Sequence, residues 1–117
     1  FAEYGVDIVL QGHDHVVSRT APIGKDGELL EESVKKENAT DYVVDPKGVI
    51  YVMSGVAGNH YRSVTEIDRH TYKILLNTDT QYWSEITVEG NRLTVVLKRM
   101  DGGKAVAFKK WGIEKTL

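Results

Sequence analysis

Gly12-His13-Asp14-His15 is the stretch of this sequence whose residue types and spacing suggest chemistry by themselves. Neutral imidazole is a good ligand for Zn, Fe, Mn or Ni, and His13 and His15 form a ready pair. Gly12 frees the backbone to leave a regular strand, so that both rings can serve one centre. Asp14, between them, is able to orient an imidazole N–H, although its ordinary role is that of a solvent-facing loop residue. Arg19 carries a guanidinium fork that suits a substrate phosphate and equally suits a carboxylate, the commoner partner. An H-x-H pair also arises by chance in surface turns, so spacing alone leaves an incidental pair open. Cysteine is absent, which removes disulfides, zinc ribbons and thiol catalysis and leaves His, Asp, Glu, Asn and backbone oxygens as metal ligands.

The elements that must position these residues are mainly strands. Val6 to Gln11 is a short, β-branched apolar run ending at Gly12, which predicts a buried strand with the histidines at its carboxyl end. That end is where α/β-type sheets place their sites. Phe1 to Gly5 reads as the last turn of a helix stopped by Gly5, so the chain is expected to open on the tail of a longer element. Val16 to Ile23 is a second strand candidate. The stretch 24–47 is polar, with seven acids and four bases between Lys25 and Lys47, and reads as a surface excursion with room to be mobile. Within it, Glu31–Lys35 and Glu32–Lys36 are i,i+4 pairs worth roughly 0.2–0.5 kcal/mol each, which predicts a short exposed helix over 28–38.

Asp45-Pro46-Lys47-Gly48 is a turn signal leading into Val49 to Ser54, an apolar run typical of a strand buried on both faces. Thr65–Asp68 and Tyr72–Leu76 read as strand or extended loop. The last third is an antiparallel meander: Tyr82 to Val88, a turn at 89–91, Arg92 to Met100 with Leu93, Val95 and Leu97 on one face, a turn at 101–103, and Ala105 to Ile113. Six strands with one or two short helices predict a mostly β, α+β piece with a predominantly antiparallel or mixed sheet. Such a sheet needs a second layer, from sequence elsewhere or from another copy.

Composition narrows the class. The 117 residues weigh 13.1 kDa, with 41% hydrophobic and 27% charged residues, values of a globular domain or part of one. The net charge of -2 gives no overall argument for nucleic acid, and none is expected as a partner. Seven bases against two acids from Arg92 to Leu117 would form a phosphate patch, but charged outer faces of strands account for them as well. No apolar run is long enough for a membrane-spanning helix. Asn38-Ala39-Thr40 is an N-glycosylation sequon, relevant only in a secreted eukaryotic protein.

Val6 to Thr20, with Gly12-His13-Asp14-His15 at its centre, resembles the last signature block, G-H-x-H, of the calcineurin-like metallophosphoesterases, and most closely their purple acid phosphatase-like branch. Gly48 to Gly58 resembles that branch's next strand and its Ser-Gly-x-x-Gly loop, and the closing meander resembles its terminal strands. The resemblance implies that residues 1–117 are the C-terminal part of a metallophosphoesterase domain, within a four-layer α/β/β/α sandwich. It implies two divalent or trivalent metal ions, Fe, Zn or Mn, roughly 3.5–4 Å apart and bridged by a carboxylate and a hydroxide. His13 would hold one metal and His15 the other, with Asp14 and Arg19 as supporting or substrate-facing groups. The substrate would be a phosphate ester, and the setting extracellular or periplasmic.

The family's earlier blocks, D-x-H, G-D and G-N-H-D/E, would precede the last motif, and the twelve residues before His13 contain none of them. The missing N-terminal part of the domain is then the first partner, and this polypeptide alone is expected to be inactive. It is also expected to leave an apolar face that a homo-oligomer or strand exchange would cover. Gly58-Asn59-His60 is followed by Tyr61 where the family has an acid, and lies in the wrong order, so His60 is read as part of the Ser-Gly loop; His70 is read as exposed loop. The competing reading is a noncatalytic β-rich binding module with an incidental H-x-H.

Overall fold

The computed structural model describes residues 2–12, 16–55, 72–76 and 80–116. Nine strands are found among them: β1 (Ile8–Gln11), β2 (Val17–Thr20), β3 (Val34–Glu37), β4 (Thr40–Val44), β5 (Ile50–Ser54), β6 (Tyr72–Leu76), β7 (Tyr82–Glu89), β8 (Arg92–Asp101) and β9 (Lys104–Glu114). They form two mixed sheets, one in the order β1-β5-β2-β6 and one in the order β3-β4-β9-β8-β7. In the smaller sheet β1 runs parallel to β5, while β2 is antiparallel to both β5 and β6. In the larger, β4 is parallel to β9 and the other pairs are antiparallel.

The two sheets cover each other. Ile50 and Val52 of β5 form one buried cluster with Val43 of β4, Val95 of β8 and Trp111 and Ile113 of β9. A second cluster joins Val17 of β2 to Tyr82 of β7 and Leu97 of β8. The second layer that the meander requires is therefore supplied by the chain itself. The expected alternation in β8 is present, with Val95 and Leu97 buried and Leu93 packed against the core. In β9 the pairing shifts between Leu97↔Lys109 and Lys98↔Ala107, leaving Phe108 as an extra residue. This bulge turns both Phe108 and Trp111, three apart, toward the core clusters.

Helical structure departs from expectation. Among the described residues a single 3-10 turn, Ala2–Tyr4, stopped by Gly5 at φ 71°, is the only helical piece, so the α part of the α+β expectation is not found. The helix expected over 28–38 is replaced by β3 and the turn that follows it. Lys35 reaches Glu114 on β9, and Glu37 pairs with Arg92 on β8, instead of the neighbours a helix would give them. Two weak i,i+4 pairs lose to the burial of Tyr42 and Val43 on the adjoining strand. Nor is 24–47 a detached surface excursion: Thr40, Tyr42 and Val43 are buried, and β4 is an interior strand of the larger sheet. Residues 25–29 at its start are exposed, as expected.

The β3–β4 hairpin closes through Asn38 and Ala39, with φ 51° and 63°, the two positive values of a type I′ turn. Opposite Tyr42, β9 places Gly112, and beyond it β8 places Thr94. The Tyr42 ring lies over that glycine and its hydroxyl meets Thr94 Oγ1 at 3.1 Å. A Cβ at position 112 would come 2.7 Å from the ring and closer still to the Leu93 carbonyl oxygen, so glycine is what lets the tyrosine cross the sheet. In β5 the inward residues Ile50 and Val52 are buried while Tyr51 and Met53 are half-buried, so burial is complete on one face only.

Candidate functional site

β1 is short because its apolar run ends at Gln11, and Gly12 follows, where an added Cβ would meet no described atom within 4 Å. The parallel register Ile8↔Ile50 through Gln11↔Met53 brings the carboxyl ends of β1 and β5 to the same end of the smaller sheet. β2 starts there too, with Val17 opposite Ser54. Three chain ends therefore meet at one sheet end: Gly12 leaving β1, Val16 entering β2, and Gly55 leaving β5 with φ 85°. Ser54 ties this end to the larger sheet through a 2.7 Å hydrogen bond between its hydroxyl and that of Ser84 on β7.

His13, Asp14 and His15 lie outside the described residues, as do His60 and His70. What the described chain contributes is the anchorage on both sides of the motif. Among the described residues, no three His, Cys, Asp or Glu side chains gather in a way that would hold a metal ion.

Arg19 is described in full, and it faces the interior. It is 5% exposed, with Nη1 donating to Glu32 Oε1 at 2.5 Å and to the Thr20 carbonyl at 3.0 Å. Its guanidinium also stacks 4.7 Å from the centroid of Trp111. The group thus clamps the smaller sheet to β9 of the larger, and Glu32 is its carboxylate. Among the described residues, the Arg19 Nε and the Ser18 hydroxyl are buried without hydrogen-bond partners. Glu32 escaped sequence reasoning because it read as the start of an exposed i,i+4 pair. It is brought to Arg19 by a tight path, in which Ile23 bridges both Leu29 and Val49 and Leu30 N–H donates to the Pro22 carbonyl at 2.9 Å. Nothing in local sequence signals that path.

This chain is similar to an acid phosphatase. It is 35% identical over 57 residues to the acid phosphatase of Aspergillus ficuum, a match that takes in 49% of the chain. The chain spans only 9% of that protein's length. No family model matches the sequence, and no solved structure matches it. No helix among the described residues is long and apolar enough to cross a membrane.

Proposed function

We propose that this chain is the C-terminal part of a dinuclear-metal phosphoesterase of the calcineurin-like, purple acid phosphatase-like kind, and that His13 and His15 are its contribution to the metal centre. The observation that carries the reading is the position of Gly12-His13-Asp14-His15 at the carboxyl end of β1, in a chain with acid phosphatase likeness. When bound, a metal pair drawn from Fe, Zn and Mn would supply an activated water and positive charge for the phosphate oxygens. The chain's own task is placement. β1 is tied to β5 along four residues, and Gly12 releases the motif at the end where the β5 loop also leaves. The two mixed sheets would be the central layers of an α/β/β/α sandwich, with the remaining ligands and outer helices supplied by the rest of the domain. Two imidazoles do not complete a dinuclear site, so this polypeptide by itself would be inactive. An exported setting, extracellular or periplasmic, belongs to the same reading.

The test is a titration with Mn and Zn, followed by calorimetry, of the wild type and of His13→Ala and His15→Ala. Site-specific binding that each substitution weakens, together with no turnover of a chromogenic phosphate ester by the isolated chain, is the expected result. Identical titrations in all three proteins would leave a noncatalytic β module with an incidental H-x-H. Robust turnover by the isolated chain would overturn the assignment of an incomplete site.

A further inference from the structure

β9 pairs with β8 from Lys104 to Glu114, but on its other side β4 covers only Trp111 to Glu114. Among the described residues, 104–110 therefore have no strand partner on that side. An open sheet edge is a template for one more strand. Beside this edge lies a cavity of about 540 Å³, with Phe108 and Trp111 of β9 and Ile74 of β6 among its apolar lining. Lys73, Lys109 and Lys110 stand around it, all exposed. None of the three has an ion pair among the described residues. Of the two carboxylates lining the cavity, Glu32 is held by Arg19, which leaves Asp41 alone against three ammonium groups.

We propose that this edge of β9 takes up an extended acidic peptide segment as an added strand of the larger sheet. The backbone of 104–110 would supply the ladder hydrogen bonds, and Lys73, Lys109 and Lys110 would select carboxylates on the incoming segment. Charge decides between occupants. A second copy of β9 would bring its own Lys109 and Lys110 to the same edge and be repelled, since like charges across a strand pair are destabilising. Lys109 and Lys110, successive along the strand, point to opposite faces, so a segment of alternating acidic and apolar residues sets its carboxylates against the lysine of one face and its apolar row on the other. The proposal does not depend on the metal site.

The probe is a labelled synthetic peptide of alternating Glu and Val, titrated into the protein and followed by anisotropy, with hydrogen exchange on the complex. Saturable binding is expected, with amide protection gained at 105–110. Lys109→Glu with Lys110→Glu should weaken it about tenfold, as reversal of the exposed positive charge along the edge predicts. Lys73→Glu, on a different strand, should weaken it as well and guards against a folding defect in β9. Absence of saturable binding, binding indifferent to all three substitutions, or binding without protection at 105–110 would each overturn the proposal. Displacement of the peptide by inorganic phosphate, with the same lysine dependence and no amide protection, would make the groove a small oxyanion site and also overturn it.

Discussion

Arg19 shows how one buried charge organises its surroundings. Its side chain and that of Glu32 are 7% and 9% exposed, so each is the other's main compensation for lost water. Removing one partner strands the other: Glu32→Ala should cost about 3–5 kcal/mol in a urea titration. Arg19→Met combined with Glu32→Leu should cost far less, because no charge is left behind. A second ion cluster lies at the surface, where Arg92 bridges Glu37 and Glu114 and stacks 4.5 Å from the Tyr42 ring centroid. The hydrogen bond from Arg92 holds the Glu37 carboxyl below the usual range, and hydrogen bonds from Thr116 do the same for Asp45. Lowered carboxyl pKa values stabilise the fold above the ordinary carboxylate value and stop doing so as pH falls through the lowered one. Melting temperature should therefore drop as the pH falls below about 4.5, and Glu37→Gln should make that decline shallower.

The β3–β4 hairpin is where local and tertiary preferences conflict. Ala39 adopts φ 63°, a conformation that costs an L residue about 1–2 kcal/mol and costs glycine little. Ala39→Gly should raise stability by roughly 0.5–1 kcal/mol, after allowance for the entropy glycine adds to the unfolded chain, measured by thermal or urea unfolding. The hairpin holds its place because Tyr42 crosses Gly112 to Thr94 and Arg92 reaches Glu37. Gly112→Ala places a Cβ against the Leu93 carbonyl and the tyrosine ring. It should lose about 1–3 kcal/mol by forcing that ring off the sheet, measured by urea unfolding.

The two sheets share one interior, and that governs cooperativity. Ile50 is fully buried between residues of β4, β8 and β9. Ile50→Ala should lower stability by about 2–5 kcal/mol. Far-ultraviolet circular dichroism and tryptophan fluorescence, from Trp83 and Trp111, should shift together, since neither sheet keeps a covered face without the other. Separate transitions by the two probes would show that the sheets unfold independently.

Read along the chain, the strands around the motif and in the meander were legible because their patterns are local. β-branched runs bounded by turn residues mark β1, β2 and β5, and alternation at Leu93, Val95 and Leu97 marks β8. The bulge in β9 is also visible as a broken alternation, Val106, Phe108, then Trp111 and Ile113. The candidate ligand pair was named from residue type, from the glycine before it and from resemblance alone. The hairpin of β3 and β4, the partnership of Arg19 with Glu32 and the open edge of β9 were decided only in three dimensions. Each depends on residues far apart in the chain: β4 becomes a strand because β9 lies beside it, and Glu32 becomes a counter-charge because a buried guanidinium waits for it. Exposed-helix pairs act across one turn and are worth tenths of a kcal/mol, whereas burial of Tyr42 and Val43 is worth several times more and is invisible until the sheets meet.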